Sequence, residues 1–403
     1  MALKVLLISH TCVSPTAGQP KAWRIAQDPR IDLSLVVPHR WRDYGRWTDA
    51  QLIEEAPASW QVHRVRWPWS GSGQWYLHHY PDLADTLRRV KPDVIDVWEE
   101  PWGLVSAQAA FLRNRLLPDA KLISETEQNI DKRLPPPFRW FRSYTLKNAD
   151  FVIGRSEEAV EVLRNHGYRG EAASVPNAVD AELFKPMDRQ RCRSAFGFSD
   201  QQFVVGYAGR LVEEKGLLNL LEAIKQSPAH TRLVLAGSGP LEPQLRQRVD
   251  DLGLDSRVEF LGAMPFDRLP ELFNAIDVLA LPSLTTARWK EQFGRVLIEA
   301  HACGTPVIGS DSGAIPEVVG KGGLVVPEAN SDALANAVSC LASDPEAARQ
   351  MGHVGRQCVD QNYSWERVAQ RMVDIYHQVA ALPNPSAKQD NFLKSSPPIG
   401  VER

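Results

Sequence analysis

Cysteine is sparse and scattered here: five in 403 residues, at positions 12, 192, 303, 340 and 358, an odd number with no C-x-x-C spacing. That argues against a disulfide framework or a cysteine zinc site and fits a reducing, cytoplasmic setting. Lysine and arginine do not gather in blocks and the formal net charge is only -3, so no nucleic-acid partner is expected. No apolar run approaches the roughly 20 residues of a membrane-spanning helix. The stretch Leu3-Lys4-Val5-Leu6-Leu7-Ile8-Ser9 is too short for a signal-peptide core and reads as a first buried strand. Any membrane contact must then be peripheral, at the inner face.

What is present is a regular alternation of short β-branched runs with amphipathic segments, the pattern of repeated βα units on parallel sheets, hence an α/β fold. A chain of 403 residues exceeds what one hydrophobic core usually serves, so two domains are expected. Strands are expected near Val5–Ser9, Leu33–Val37, Val62–Arg66, Val94–Trp98, Leu122–Ser124, Phe151–Ile153 and Ala173–Val175. A second set falls near Phe203–Ala208, Leu233–Ala236, Val258–Leu261, Val278–Leu281, Pro306–Ile308 and Leu324–Val326. The proline-bracketed stretch Pro176–Pro186 reads as the interdomain linker, with hinge motion expected near Asn177–Asp180. The expected division is 1–176, 177–362, a helical segment 363–382, and a polar, Pro-rich tail 383–403 that reads as disordered.

Two stretches carry chemistry. The run Phe203-Val204-Val205-Gly206-Tyr207-Ala208-Gly209-Arg210 through Lys215-Gly216 passes from a strand through a glycine turn into a helix. Arg210 and Lys215 therefore flank a loop at a strand's carboxyl end, where open α/β sheets bind ligands. A guanidinium fork plus an ammonium suits a diphosphate; the competing reading is a solvated pair neutralised by Glu213 and Glu214. Further on, Glu291-Gln292-Phe293-Gly294-Arg295-Val296-Leu297-Ile298-Glu299 places two carboxylates around a loop-to-helix junction. Unpaired backbone N–H groups there favour anionic or hydroxyl-rich ligands, and the carboxylates can accept hydrogen bonds from hydroxyls of two linked units, such as a sugar and a ribose.

These stretches, with Leu235-Ala236-Gly237-Ser238-Gly239-Pro240, Val258–Gly262, Leu281-Pro282-Ser283, Gly309 to Val318 and Tyr363-Ser364-Trp365 in that order, resemble the carboxyl half of the family 4 retaining glycosyltransferases. The resemblance runs from about Ser174 to Tyr376; the amino half is similar in layout and looser in motif. It implies the GT-B fold, two Rossmann-like doubly wound domains facing across a cleft, with a last helix near Trp365 to Ala380 crossing back to the first. It implies a hexosyltransferase in glycan or glycolipid biosynthesis that uses a nucleoside diphosphate sugar as co-substrate, with no cofactor. Under this resemblance Arg210, Lys215 and Glu291 are the catalytic set. Gly18, Gly209, Ala263, Gln292, Phe293, Gly294, Arg295, Val296 and Glu299 join them in binding the donor, Glu291 on the hexose and Glu299 on the ribose. The family reading of the reaction is front-face attack, in which a diphosphate oxygen takes the acceptor's proton. Because no two aspartates stand as Asp-x-Asp, transfer without a metal is expected.

The amino half departs from the family. Its first loop, Ser14-Pro15-Thr16-Ala17-Gly18-Gln19-Pro20, keeps one glycine of the usual pair, so Gly18 alone is expected to let backbone approach phosphate. Imidazoles common after two strands give way to carboxylates in Asp96-Val97-Trp98-Glu99-Glu100-Pro101 and Ser124-Glu125-Thr126-Glu127. A polyhydroxylated acceptor held by one or two of Glu99, Glu100, Glu125 and Glu127 is the functional reading, solvated loop charge the other. His10 and His301 read as structural. Ten of twelve tryptophans precede residue 141, most of them expected in the core. Two aromatic, basic clusters, Arg64 to Tyr80 and Arg133 to Arg142, have the composition of a membrane-surface contact, leaving a lipid-linked and a soluble acceptor both open. Open too are a catalytically degenerate sugar-binding subunit and a nucleotide-sugar epimerase or synthase on the same fold.

Overall fold

The structure is a computed structural model that describes residues 1–16, 18–43, 46–66 and 75–383. Part of the Arg64 to Tyr80 cluster and the tail expected to be disordered lie outside the described residues. The first lobe holds strands β1 (Leu3–Ile8), β2 (Ile31–Pro38), β3 (Arg40–Asp43), β4 (Arg46–Asp49), β5 (Trp60–His63), β6 (Val94–Val97), β7 (Lys121–Thr126), β8 (Phe151–Gly154) and β9 (Glu171–Ser174). The second holds β10 (Phe203–Ala208), β11 (Thr231–Ala236), β12 (Val258–Gly262), β13 (Val278–Leu281), β14 (Val307–Ser310) and β15 (Gly323–Val326).

Seven strands of the first lobe pair in the order β5-β2-β1-β6-β7-β8-β9, and the second sheet runs β12-β11-β10-β13-β14-β15. Every pairing in both is parallel. Strands covered by helices on both faces are apolar throughout, which is why Val5, Leu6, Leu7 and Ile8 are all fully buried and strand-like in sequence. Each sheet is doubly wound and reverses its winding once, between β1 and β6 in the first and between β10 and β13 in the second. Side chains just past those strand ends are where such sheets place a ligand.

Two expected strands shift. β5 ends at His63, where its pairing with β2 stops at Pro38, and Arg66 instead bridges His79. β9 begins at Glu171 and ends at Ser174 because it follows β8 residue for residue. One element was not expected at all, the antiparallel hairpin of β3 and β4. Its sequence is mostly polar, yet Trp41 turns inward and is buried, while Trp47 stays 48% exposed beneath the guanidinium of Arg40 at 4.7 Å.

The helix Trp365–Ala380 starts where Ser364 Oγ accepts from Arg367 N, a Ser N-cap. It crosses to the first lobe, where Val368, Met372, Val373, Tyr376 and Val379 enter the core with Val5, Leu7 and Ile25. Tyr376 Oη donates to buried Asp96 Oδ2 at 2.7 Å. The outgoing linker runs beside this return: Val179 N donates to Tyr363 O at 2.8 Å and Val179 bridges Ser364.

Candidate active site

Between the lobes lies a cavity of about 530 Å³ whose walls include His10, Gly18 and Lys21 from the first lobe and Glu291, Gly294 and Arg295 from the second. A second cavity of about 310 Å³ continues from it toward Glu99, Glu100 and Thr126. His10, Thr11, Trp41, Trp98, Glu127 and Gln292 border both. The site thus gathers the loops after β1 and β6, the switch point of the first sheet, and faces the loop after β13.

On the second-lobe wall, Lys215 Nζ contacts Glu291 Oε2 at 2.5 Å, and Ser283 Oγ donates to the same oxygen at 2.9 Å. Lys215 also lies 4.9 Å from the Trp289 ring. Its partner is therefore Glu291, 76 residues away, rather than the neighbouring Glu213 or Glu214. An ammonium has three donors and can hold Glu291 and a phosphate together. Gly294 caps the helix Arg295–Ala302 at φ 81°, a left-handed conformation that favours glycine. Gly313, at φ 54°, lies against the Glu291 carbonyl: an added Cβ would stand 2.0 Å from that oxygen. Glu299, on the same helix, is buried, and burial raises its pKa. Arg210 is exposed beyond β10, and Tyr207 Oη donates to its carbonyl at 2.7 Å. Ala263 is exposed past β12. Gln292, Phe293, Gly294 and Arg295 border the larger cavity with Glu291; Gly209, Arg210, Lys215, Ala263, Val296 and Glu299 stand outside its lining.

Gly18 borders the cavity with φ -86°, and its constraint is local: an added Cβ would meet Thr11 Oγ1 at 2.6 Å and Cys12 Sγ at 2.8 Å. Of the four carboxylates expected to hold an acceptor, Glu125 is fully enclosed. It accepts from Lys21 Nζ at 3.1 Å and from Arg155, and both cations also lie against the Trp98 ring. Alternation along β7 turns Glu125 into the sheet's cover, where an unpaired charge would be costly, so cations surround it. Burial and the nearby Arg155 lower the pKa of Lys21.

Glu99 is buried too. It accepts from His10 N at 2.7 Å through Oε1 and meets His10 Nδ1 at 2.5 Å through Oε2, with His78 Nε2 3.7 Å away. Burial alone would raise its pKa, but the two histidines bring it below the usual value. Glu100 accepts from Thr126 Oγ1 at 2.6 Å and from Glu127 N at 2.8 Å, and burial pushes its pKa up to about 7. Glu127 borders both cavities, and enclosure raises its pKa as well. All four carboxylates border the smaller cavity and Glu127 the larger one as well, while Glu99 and Glu125 are already engaged by His10 and by Lys21 and Arg155.

His10, read as structural from sequence, borders both cavities and stacks on Trp41 with ring centroids 4.3 Å apart. Its position right after the first strand was the available signal. His301 is buried, its pKa lowered by burial to about 4. Asn129 was also missed: its Nδ2 donates across the lobes to the Glu291 carbonyl at 2.8 Å. Lys290 pairs with Glu158 over the same gap. Among the described residues no group of three or more His, Cys, Asp or Glu side chains could hold a metal ion, and no helix is long and apolar enough to cross a membrane.

Residues 31–183 match the family described as Glycosyltransferase Family 4, and residues 188–357 match Glycosyl transferases group 1. A D-inositol 3-phosphate glycosyltransferase of Corynebacterium urealyticum is 30% identical over 305 residues, 72% of this chain and 68% of that protein. A GDP-mannose-dependent alpha-(1-6)-phosphatidylinositol monomannoside mannosyltransferase of Mycolicibacterium smegmatis is 35% identical over 210 residues, 50% of this chain. There the match spans 55%, about half, of the relative's length. Among solved structures, the sucrose-phosphate synthase of Thermosynechococcus elongatus shares the fold, with a TM-score of 0.73 and 24% identity over 94% of this chain and 99% of that one.

Proposed function

The chain belongs to the family 4 glycosyltransferases, and from that premise we propose that it moves a hexose from a nucleoside diphosphate sugar to a hydroxyl acceptor. Transfer proceeds with retention of anomeric configuration and without a metal ion. The observation that carries the reading is the Lys215–Glu291–Ser283 cluster, set beside the Gly294 helix start and opening on the cavity between the lobes. Departure of a diphosphate builds negative charge, which Lys215 and Arg210 offset, while Glu291 holds hydroxyls of the hexose and Glu299 those of the ribose. Donor binding belongs to the second lobe, with the division near residue 176. The smaller cavity holds the acceptor. Its lining sets Glu99, Glu100, Glu125 and Glu127 against Arg42, a balance that disfavours a phosphorylated acceptor and favours a neutral polyol, in contrast to the inositol phosphate substrate named for the Corynebacterium relative.

Peripheral membrane contact, at the inner face of the cell membrane, uses the helix Phe138–Asn148. Arg139 and Trp140 are exposed there, Trp140 to 62%, and an aromatic ring beside cationic side chains suits an anionic lipid surface. A lipid-linked acceptor would be presented from that side.

Thermal shift against nucleoside diphosphates and their sugars, with EDTA present, tests the donor reading. One nucleotide series is expected to stabilise the protein, by about 2.7 kcal/mol at a hundredfold excess over Kd. The shift should weaken in Arg210→Ala and Glu299→Gln. No shift with any nucleotide would refute donor binding and favour the degenerate-subunit reading, and a shift abolished by EDTA would refute metal independence.

A further inference from the structure

The network around Glu125 holds more positive charge than that carboxylate needs. Lys21 Nζ donates to both Glu125 oxygens, at 3.1 and 3.4 Å, and Arg155 donates to Oε2 as well. Lys21 is 1% exposed and Arg155 2%, yet both border the larger cavity. Arg155 has a further partner in Glu127, 3.6 Å from its Nε. Asp96, the other buried carboxylate beside the two cations, accepts from Tyr376 Oη, and burial raises its pKa. Glu125 with Arg155 is already a complete pair, and burying a second cation on it adds a desolvation cost that the pair does not repay. Lys21 also stands in the first turn of the helix Gln19–Ala26, the end where the macrodipole disfavours a cation and favours an anion in front of it. Burial, with Arg155 beside it, lowers the Lys21 pKa to about 7, so its charge lacks compensation within the fold. From the other lobe, Gly294 and Arg295 at a helix start border the same cavity.

We propose that Lys21 is a further donor-binding residue, a first-lobe ammonium that contacts the diphosphate held on the second-lobe side by Lys215 and Arg210. The inference rests on the transfer reading above and deepens it. A diphosphate carries more anionic oxygens than those two side chains satisfy. With three N–H donors, the Lys21 ammonium can keep Glu125 and still donate to a phosphate oxygen; the Trp98 ring, 3.9 Å from Nζ, fixes its position. As the acceptor oxygen bonds to the anomeric carbon, the bond from that carbon to the diphosphate oxygen breaks and its electron pair leaves with the diphosphate. The acceptor's proton passes to that departing oxygen, as in the family reading, while Lys21 keeps its own protons and offsets the remaining charge. The loop before this helix keeps one glycine of the usual pair, and Gly18 lies against Thr11 and Cys12. A side-chain cation from the next turn thus takes over the phosphate contact that backbone gives up.

The test uses the full chain with EDTA present and compares, by isothermal titration calorimetry, the affinities for GDP and GMP and for UDP and UMP. Within whichever series binds, the ratio of the two isolates the second phosphate. Lys21→Met should bind the monophosphate as the wild type does and lose about 10- to 100-fold of the preference for the diphosphate. Glu125→Gln breaks the same ion pair from its other side and should keep that preference within about threefold. A merely structural role for the pair predicts the same change in both variants, so an equal loss in Glu125→Gln overturns the proposal. Where Lys21→Met does not fold, Lys21→Met combined with Glu125→Gln removes the buried pair together; measured against Glu125→Gln alone, it should show the same loss. A diphosphate preference within about twofold of the reference protein in the lysine variant overturns the proposal and leaves the donor reading standing. A wild type that binds neither series refutes the donor reading, and the proposal with it.

Discussion

Glu291 accepts from Lys215 and Ser283 through a single oxygen, Oε2, so its charge and its orientation can be separated by substitution. Glu291→Gln keeps the shape and removes the charge that holds Lys215; transfer is expected to fall about 100-fold or more, with a smaller change in nucleotide affinity. Steady-state kinetics with the donor varied would show this as a loss in kcat. Glu100 gives a pH-dependent prediction. Its pKa is raised to about 7 in the folded protein from 4.5, so the native state holds an extra proton between those values and stability falls as pH rises through that window. Glu100→Gln removes the burden: its stability relative to wild type should improve by on the order of 1 kcal/mol between pH 5 and 8, read by urea denaturation at each pH. A relative stability flat with pH would contradict the assignment. The loop-to-helix junction that carries Glu291, Gly294 and Glu299 was legible in the sequence because one short stretch holds all three. The Lys215–Glu291 pair and the burial of Glu125 were not, since partners 76 and 104 residues apart meet only once strand order is fixed.

Among the elements, the parallel strands were readable because two covered faces demand unbroken apolar runs, and the return helix only through the family resemblance. The β3–β4 hairpin was not readable. Its polar residues give no alternation, while Trp41 packs on His10 and Arg40 and Arg42 lie over Trp47. Because Trp41 lines both cavities, Trp41→Ala should lower transfer about 10-fold or more through misplacement of the acceptor, while nucleotide-induced stabilisation is retained. The return helix makes a different prediction. Tyr376→Phe removes the hydrogen bond that this helix gives the buried Asp96 carboxylate, and should destabilise the protein by roughly 1–3 kcal/mol in chemical denaturation without altering donor affinity.

At the scale of the molecule, two lobes are joined by the linker at Val179 and the return at Ser364, lying side by side, and are latched across the cleft by Asn129 on the Glu291 carbonyl and by Lys290 on Glu158. Two adjacent chain crossings leave room for the hinge motion expected near Asn177–Asp180, which these polar contacts would oppose. Asn129→Ala is expected to raise the radius of gyration of the ligand-free protein in small-angle scattering and to raise KM for donor, because the Glu291 loop loses its anchor to the first lobe. The two-lobed plan was legible from length and alternation, whereas the latch depends on side chains from both lobes that no local pattern connects. The central claim, that the cleft breaks a nucleoside diphosphate sugar at its anomeric carbon, is tested most directly by proton NMR of the anomeric signals of GDP-mannose and UDP-glucose incubated with the protein, EDTA and neutral polyol acceptors. The account predicts loss of one donor's signal and appearance of a product anomer of the same configuration, both abolished in Glu291→Gln. An unchanged donor, or a product of opposite configuration, would contradict it.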